Sequence, residues 1–316
     1  MFRFRKIPAL GLLLGLCLPA AAAAGPAEDF AQAERLFDAG DFTRAESLLT
    51  RVLNAPNLTP EQRSVSLGRR IEARLALRRL DDAIADATTA VELDPRNAIA
   101  YYWRGMARHE SGQAEAALRD FSQATLIKPD FAAAYVQRGL AAQATGSTGR
   151  PLEDFQKALQ LDPKLPAAYR ARGNLYFYQG NYAAAAEDFR QFQKLVPNDA
   201  YNLLRLFLAV ARQGQDGRAA IAAPAAKVST PGWPAPLLAL YLGTGGKPQV
   251  EAAIPTGTDE TARGRACEGW FYLGYWHLLA GDRAQAKALF QRALDTGMRH
   301  YNEYELAKAE LWRLGG

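Results

Sequence analysis

The sequence predicts an all-α fold: a superhelical solenoid of about seven helix–turn–helix units, closed by a C-terminal capping helix. Three observations carry this. Pro95, Pro129, Pro163 and Pro197 stand 34 residues apart. Gly105, Gly139 and Gly173 keep the same step. Phe121, Phe155 and Phe189 keep it again. Several residue types holding one period over consecutive units mark stacked repeats, each unable to bury its apolar face alone.

Each repeated residue has a physical role. Small side chains at the Gly and Ala positions let two antiparallel helices approach closely, and the Phe wedges between neighbouring units. Proline ends the second helix because it lacks the N–H and clashes with the preceding turn. Ala83, Ala117 and Ala185 share a phase that Pro151 interrupts. Pro151 falls in the first turn of a helix opening near Gly149, where the missing donor has no intrahelical partner anyway. The order Tyr169, Gly173, Tyr176, Gly180, Tyr182, Ala185, Phe189, Pro197 resembles the tetratricopeptide (TPR) repeat, a helix–turn–helix of 34 residues.

In chain order, residues 1–24 read as a cleaved secretory signal peptide and 25–221 as six TPR units, the last degenerate. The first unit spans Ala27 to Val52, with Gly40, Phe42 and Ala45 in phase, and Asn54 to Arg63 is a polar insertion. Asp81 and Asp82 open a helix N-terminus, where the dipole favours acids. Residues 222–266 break the period and form an irregular insertion with short helices, one of them between Trp233 and Gly243. The seventh unit, 267–300, restores the phase at Trp270, Leu273, Gly274, Gly281, Ala286, Phe290 and Ala293. Residues 301–316 supply the capping helix, Tyr301 to Leu314.

The N-terminal segment is an address. Arg3, Arg5 and Lys6 precede the apolar run Ala9 to Leu18, Pro19 breaks it, and Ala20 to Ala24 supply the small residues that cleavage after Ala24 needs. The run falls short of the ~20 residues of a membrane anchor. Leu16 stands where a bacterial lipoprotein signal places a small residue, so a lipid anchor at Cys17 is not expected. The reading is a periplasmic, exported chain with no membrane span. Its only remaining thiol is Cys267, which rules out an intramolecular disulfide.

Composition excludes several functions. The formal charge of +5 falls to +2 once Arg3, Arg5 and Lys6 are set aside, too mild for a nucleic-acid partner. Two cysteines and three histidines support neither a disulfide scaffold nor a zinc cluster, so no metal is expected. No catalytic signature occurs. Gly243 to Lys247 lacks the spacing and the hydroxyl of a phosphate loop, and His109, His277 and His300 are scattered. The expectation is a binding protein, not an enzyme, with no cofactor.

A charge pattern follows the period. Arg70, Arg104, Arg138 and Arg172 recur every 34 residues, and Asp86, Asp120, Asp154 and Asp188 follow them by 16. Where the Arg is replaced by an apolar residue so is the Asp, at Leu206 with Ala222 and Leu273 with Leu289. The two positions are therefore expected to touch as structural ion pairs across each helix pair.

Partners are expected on the first helix of each unit, whose positions 2, 5, 9 and 12 share a face. These are Ile99, Tyr102, Met106 and His109; then Ala133, Val136, Leu140 and Gln143; then Ala167, Arg170, Asn174 and Phe177. Tyr201 and Leu204, and Phe271 and Tyr275, continue the face. The candidate groove is thus Tyr102, Met106, His109, Arg170, Asn174, Phe177, Tyr201, Phe271 and Tyr275. Arg170 with Asn174 resembles half of the carboxylate clamp of TPR co-chaperones; the other half is missing, because Tyr102 and Met106 hold the matching places two units earlier.

From Asp199 to Gly315 the chain resembles the bacterial NlpI-like TPR lipoproteins. The residues are Leu206 to Ala209, Trp233 with Leu240 to Gly243, Phe271 to Gly274, Ala293-Leu294 and the closing Glu303–Leu311 helix. The resemblance implies a cell-envelope adaptor for peptidoglycan hydrolases and a tail-specific protease, as a homodimer. The absent lipobox departs from that family. The alternative expectation is a structural or assembly subunit of an envelope or secretion complex.

Overall fold

The computed structural model describes residues 25–146 and 151–315. The signal peptide, Cys17 and Gly149 lie outside these. The described residues form 17 helices, in two compact units, Met1–Pro95 and Arg96–Gly316.

The first unit holds α1 (Pro26–Ala39), α2 (Phe42–Leu53), α3 (Pro60–Ala76) and α4 (Leu80–Leu93), two antiparallel pairs. Local chemistry sets their starts. Asp41 accepts the Arg44 N–H at the head of α2, and Thr59 and Gln62 form a reciprocal capping box at the head of α3. That cap ends the polar insertion at Thr59, so Arg63 is already helical. Ala33, Ala45, Leu49 and Ile71 fill the interior.

The second unit begins with three regular pairs: α5 (Ala98–Glu110) with α6 (Ala114–Ile127), α7 (Ala132–Thr145) with α8 (Pro151–Leu161), and α9 (Pro166–Tyr178) with α10 (Tyr182–Leu195). Pro151 heads α8 as the first-turn argument requires. A degenerate pair follows, α11 (Ala200–Ala211) with the nine-residue α12 (Gly217–Ala225), which carries Pro224 in its last turn. Two short helices, α13 (Ala235–Leu242) and α14 (Lys247–Ala253), occupy the insertion. The last pair is α15 (Glu260–Leu279) with α16 (Arg283–Asp295), and α17 (Asn302–Arg313) closes the chain. Asp259 caps α15, so the first helix of the seventh pair starts ahead of residue 267.

The Gly and Phe periods prove to be one feature. A Cβ on Gly105, Gly139, Gly173 or Gly274 would lie 2.7, 2.6, 2.7 or 2.7 Å from the ring of Phe121, Phe155, Phe189 or Phe290, the residue 16 further on in each case. The Phe therefore seats on the bare backbone of its own pair's first helix, rather than only wedging between units. In the α3–α4 pair the sizes are exchanged: Ile71 stands where Gly would, Ala87 where Phe would, and both are buried. Volume is conserved across the contact, as close packing demands.

Candidate functional site

All four arginine–aspartate positions meet. Arg70 Nε and Nη2 donate to the two oxygens of Asp86 at 2.7 Å each. Arg172 does the same to Asp188 at 2.8 and 2.7 Å. Arg104 Nη2 reaches Asp120 at 2.8 Å, and Arg138 Nε reaches Asp154 at 3.0 Å. Forked contacts of this kind fix geometry as well as charge. Two of the arginines also reach back to the preceding helix pair: Arg70 donates to Thr50 Oγ1 at 3.1 Å and Arg138 to Thr125 Oγ1 at 2.8 Å. The aspartates are buried. Burial pushes the Asp188 carboxyl up, against the pull of Arg172, while the Asp154 hydrogen bond raises Arg138 further. With both partners engaged inside the packing, the ladder holds helices together and leaves no cation for a ligand.

The apolar switch holds at only one of its two places. Leu273 and Leu289 are both buried. Leu206 is buried too, but Ala222 is exposed and Ile221 takes the interior place. The reason is local: Phe207 presses on Gly217 so closely that a Cβ there would lie 2.8 Å from the Phe207 carbonyl oxygen, and α12 enters in a shifted phase.

The predicted binding face divides in two. On α5 and α7 it is accessible: Ile99 is 42% exposed, Gln143 is exposed, and Met106, His109, Ala133 and Leu140 are half-buried. Burial lowers the His109 pKa, so its ring is neutral at pH 7, and its Nδ1 is buried with no hydrogen-bond partner. Val136 on α7 is buried, and Tyr102 is the exception on α5. It is buried, its ring 4.9 Å from that of Phe131, and is a packing residue.

From α9 onwards the face is filled by the chain itself. Phe177, Phe271 and Tyr275 are buried, with ring centroids 5.9 Å apart for Phe177–Tyr275 and 5.0 Å for Phe271–Tyr275. Tyr201 donates its hydroxyl to Glu268 Oε2 at 2.8 Å. Arg170 lies over the Phe192 ring at 5.5 Å; burial, and then the nearby Arg205, lower its pKa. Asn174 keeps a buried, unpartnered Oδ1 beside a void of about 10 Å³ shared with Phe177, Arg205, Phe271 and Leu306. That is room for one water, not for a chain end. Phe177, Phe271 and Tyr275 are therefore interior, as is Tyr102, which corrects the expectation that these four line an open groove; Arg170, Asn174 and Tyr201 are half-buried.

What fills it is a set of contacts that sequence reasoning missed. Arg205 of α11 pairs with Glu303 of α17 at 3.1 Å, and Arg212 with Glu310 at 3.0 Å. Arg313 also bonds Glu310 and the Tyr178 carbonyl oxygen. Arg212 lies 4.7 Å from the Tyr182 ring centroid. The only trace in the sequence is a shared step of seven, Arg205 to Arg212 and Glu303 to Glu310, which sets each pair on one helix face two turns apart.

His277 is held between Lys247, 3.5 Å from Nε2, and Asp282, 3.1 Å from Nδ1; His300 lies 3.3 Å from Glu260. Cys267 is a buried free thiol whose pKa burial pushes up to about 12, so it is neither nucleophile nor ligand at pH 7. Among the described residues no group of three or more His, Cys, Asp or Glu side chains gathers as a metal site, and no helix is long and apolar enough to cross a membrane.

Three segments match tetratricopeptide-repeat family models: residues 69–126, 166–199 and 268–296. No curated protein sequence matches. Among solved structures, a tetratricopeptide repeat protein from Parabacteroides merdae is 19% identical, with a TM-score of 0.54, over 90% of this chain and 98% of its own. PilW, described as a type IV pilus biogenesis factor, is 18% identical, also with a TM-score of 0.54, over 64% and 91%. At those identities the likeness speaks to fold. The three matched segments are thus tetratricopeptide repeats, and the chain has an all-α fold of the TPR-solenoid type.

Proposed function

We propose that the chain is an exported, non-enzymatic TPR adaptor that binds protein partners in the periplasm, with peptidoglycan hydrolases and an envelope protease as the expected class. One observation carries the binding surface: the face of α5 and α7 stays accessible at Ile99, Met106, Leu140 and Gln143, while in the same phase Phe177 on α9, Leu204 on α11 and Phe271 and Tyr275 on α15 are buried within the chain. An accessible strip of apolar side chains on rigid helices is suited to an apolar segment of a partner. The repeats at three segments support a scaffold role.

The test uses the mature chain as bait on envelope extract. Enrichment of cell-wall hydrolases or a protease supports the adaptor; enrichment of secretin or pore subunits favours the assembly subunit instead. Ile99→Asp with Met106→Asp should then weaken the captured pair at least tenfold, since ~1.4 kcal/mol suffices for that. Arg119→Ala with Arg190→Ala, on exposed second-helix positions, should change it by less than about threefold. Mass spectrometry of the exported protein should find Gly25 at its N-terminus; a retained leader overturns the address.

A further inference from the structure

Two buried polar atoms of opposite character lie on the wall of one small void. Asn174 Oδ1, on α9, is an acceptor and Arg205 Nε, on α11, is a donor; neither finds a hydrogen-bond partner among the described residues. Both residues line the void of about 10 Å³. We propose that this void is a hydration site. A single ordered water accepts from Arg205 Nε and donates to Asn174 Oδ1, fastening α9 to α11 where the regular repeats give way to the closed run.

Size and chemistry agree. The volume is about that of one water-sized sphere, so the site takes one molecule and nothing larger. Phe177, Phe189, Phe271 and Leu306 supply apolar wall from α9, α10, α15 and α17. A wholly apolar cavity stays dry, whereas one that carries a donor and an acceptor is filled. An unmet buried donor and an unmet buried acceptor each bear the full cost of lost hydration. One water meets both for a small cost in ordering.

The side chains do not close the gap themselves. Arg205 Nη2 donates to Glu303 Oε1 at 3.1 Å, and the Tyr272 hydroxyl lies 3.5 Å from the same oxygen, so the guanidinium is anchored toward α17. Asn174 is short and stops at the wall of the void. The water therefore continues a chain of contacts from Asn174 through Arg205 to Glu303, joining α9, α11 and α17. Asn174, a candidate partner contact in the sequence, serves the interior.

Oxygen-17 magnetic relaxation dispersion of the intact chain counts long-lived internal waters, and differences between variants isolate this one. Asn174→Leu is close in size but has no acceptor; it should hold one water fewer and melt at a lower temperature, because Arg205 Nε is left unmet. Asn174→Gln extends the amide by one methylene into the void and offers Arg205 a direct acceptor. It should also hold one water fewer, yet melt with the wild type. Asn174→Asp keeps the acceptor and should keep the water. Counts unchanged in both the Leu and the Gln variants overturn the site. So does a crystal structure of the wild type with no water within about 3.2 Å of both atoms. A Leu variant that loses the water but melts with the wild type overturns the fastening role.

Discussion

The run α5–α10 and the run α11–α17 are built from the same repeat but held together differently. In the first, each helix pair is closed by residues 16 apart, Gly against Phe and Arg against Asp, and every pair repeats the recipe. In the second, the arginine of that recipe is gone and long-range contacts replace it: Tyr201 with Glu268, 67 residues on, and Arg205 and Arg212 with Glu303 and Glu310, 98 residues on. The first run keeps its first-helix face accessible on α5 and α7; the second uses that face as core. Local closure leaves a surface free for a partner, and long-range closure consumes it.

The largest expected effect tests the second mode. Glu310 of α17 is 1% exposed and pairs with Arg212 of α11 and with Arg313 of its own helix. Glu310→Leu leaves both guanidinium groups without their acid and should cost about 3–5 kcal/mol, read as the loss in unfolding free energy. Adding Arg212→Leu should return part of that loss, because the remaining buried charge is removed. The equivalent cut in the first run, Asp154→Leu, should cost less, about 2–3 kcal/mol, since the Arg138 side chain is 29% exposed and water can take over part of the role. Equal losses would show that the two modes do not differ in strength. A double variant of Arg138 and Asp154 to Leu no better than either single one would refute the pairing itself.

Next in size is the Gly–Phe contact. Gly139→Ala places a methyl 2.6 Å from the Phe155 ring and should cost about 1–3 kcal/mol as overpacking. Phe155→Leu should relieve part of it in the double variant, a coupling that a thermodynamic cycle measures. The α3–α4 pair already shows the remedy, with Ile71 opposite Ala87. An uncoupled pair would mean the backbone yields instead of the ring.

The regular run was legible because its determinants are local. Pro95 to Pro197, the Gly–Phe step and the Arg–Asp step are all visible within 34 residues. Pro151, the capping acids and the final helix were read for the same reason. The fate of the binding face was not legible, because Phe177, Phe271 and Tyr275 carry the same pattern whether they face solvent or one another. That is decided by the packing of α15 against α9 and the pairing of α17 with α11. Glu303 and Glu310 on the closing helix carry no local sign of their burial, because their seven-residue step is simply two helical turns. The shifted phase at Ala222 had a sequence signal, Gly217 beneath Phe207, but its effect depends on how tightly α12 meets α11.

The smallest effect compares the two runs at their surfaces. Leu126 on α6 is 73% exposed and Trp312 on α17 is 78% exposed, one large apolar side chain from each mode of closure. Neither is buried against its own chain, so Leu126→Ser and Trp312→Ser should each change the unfolding free energy by no more than about 0.5 kcal/mol in dilute solution. Thermal melts at two protein concentrations sharpen this. A loss confined to the concentrated sample for Trp312→Ser would show that copies of the chain meet through α17, because only association makes stability depend on concentration. A loss at both concentrations would mean that the indole packs on its own chain, and that the closing helix reaches further over the second run than its two buried ion pairs require.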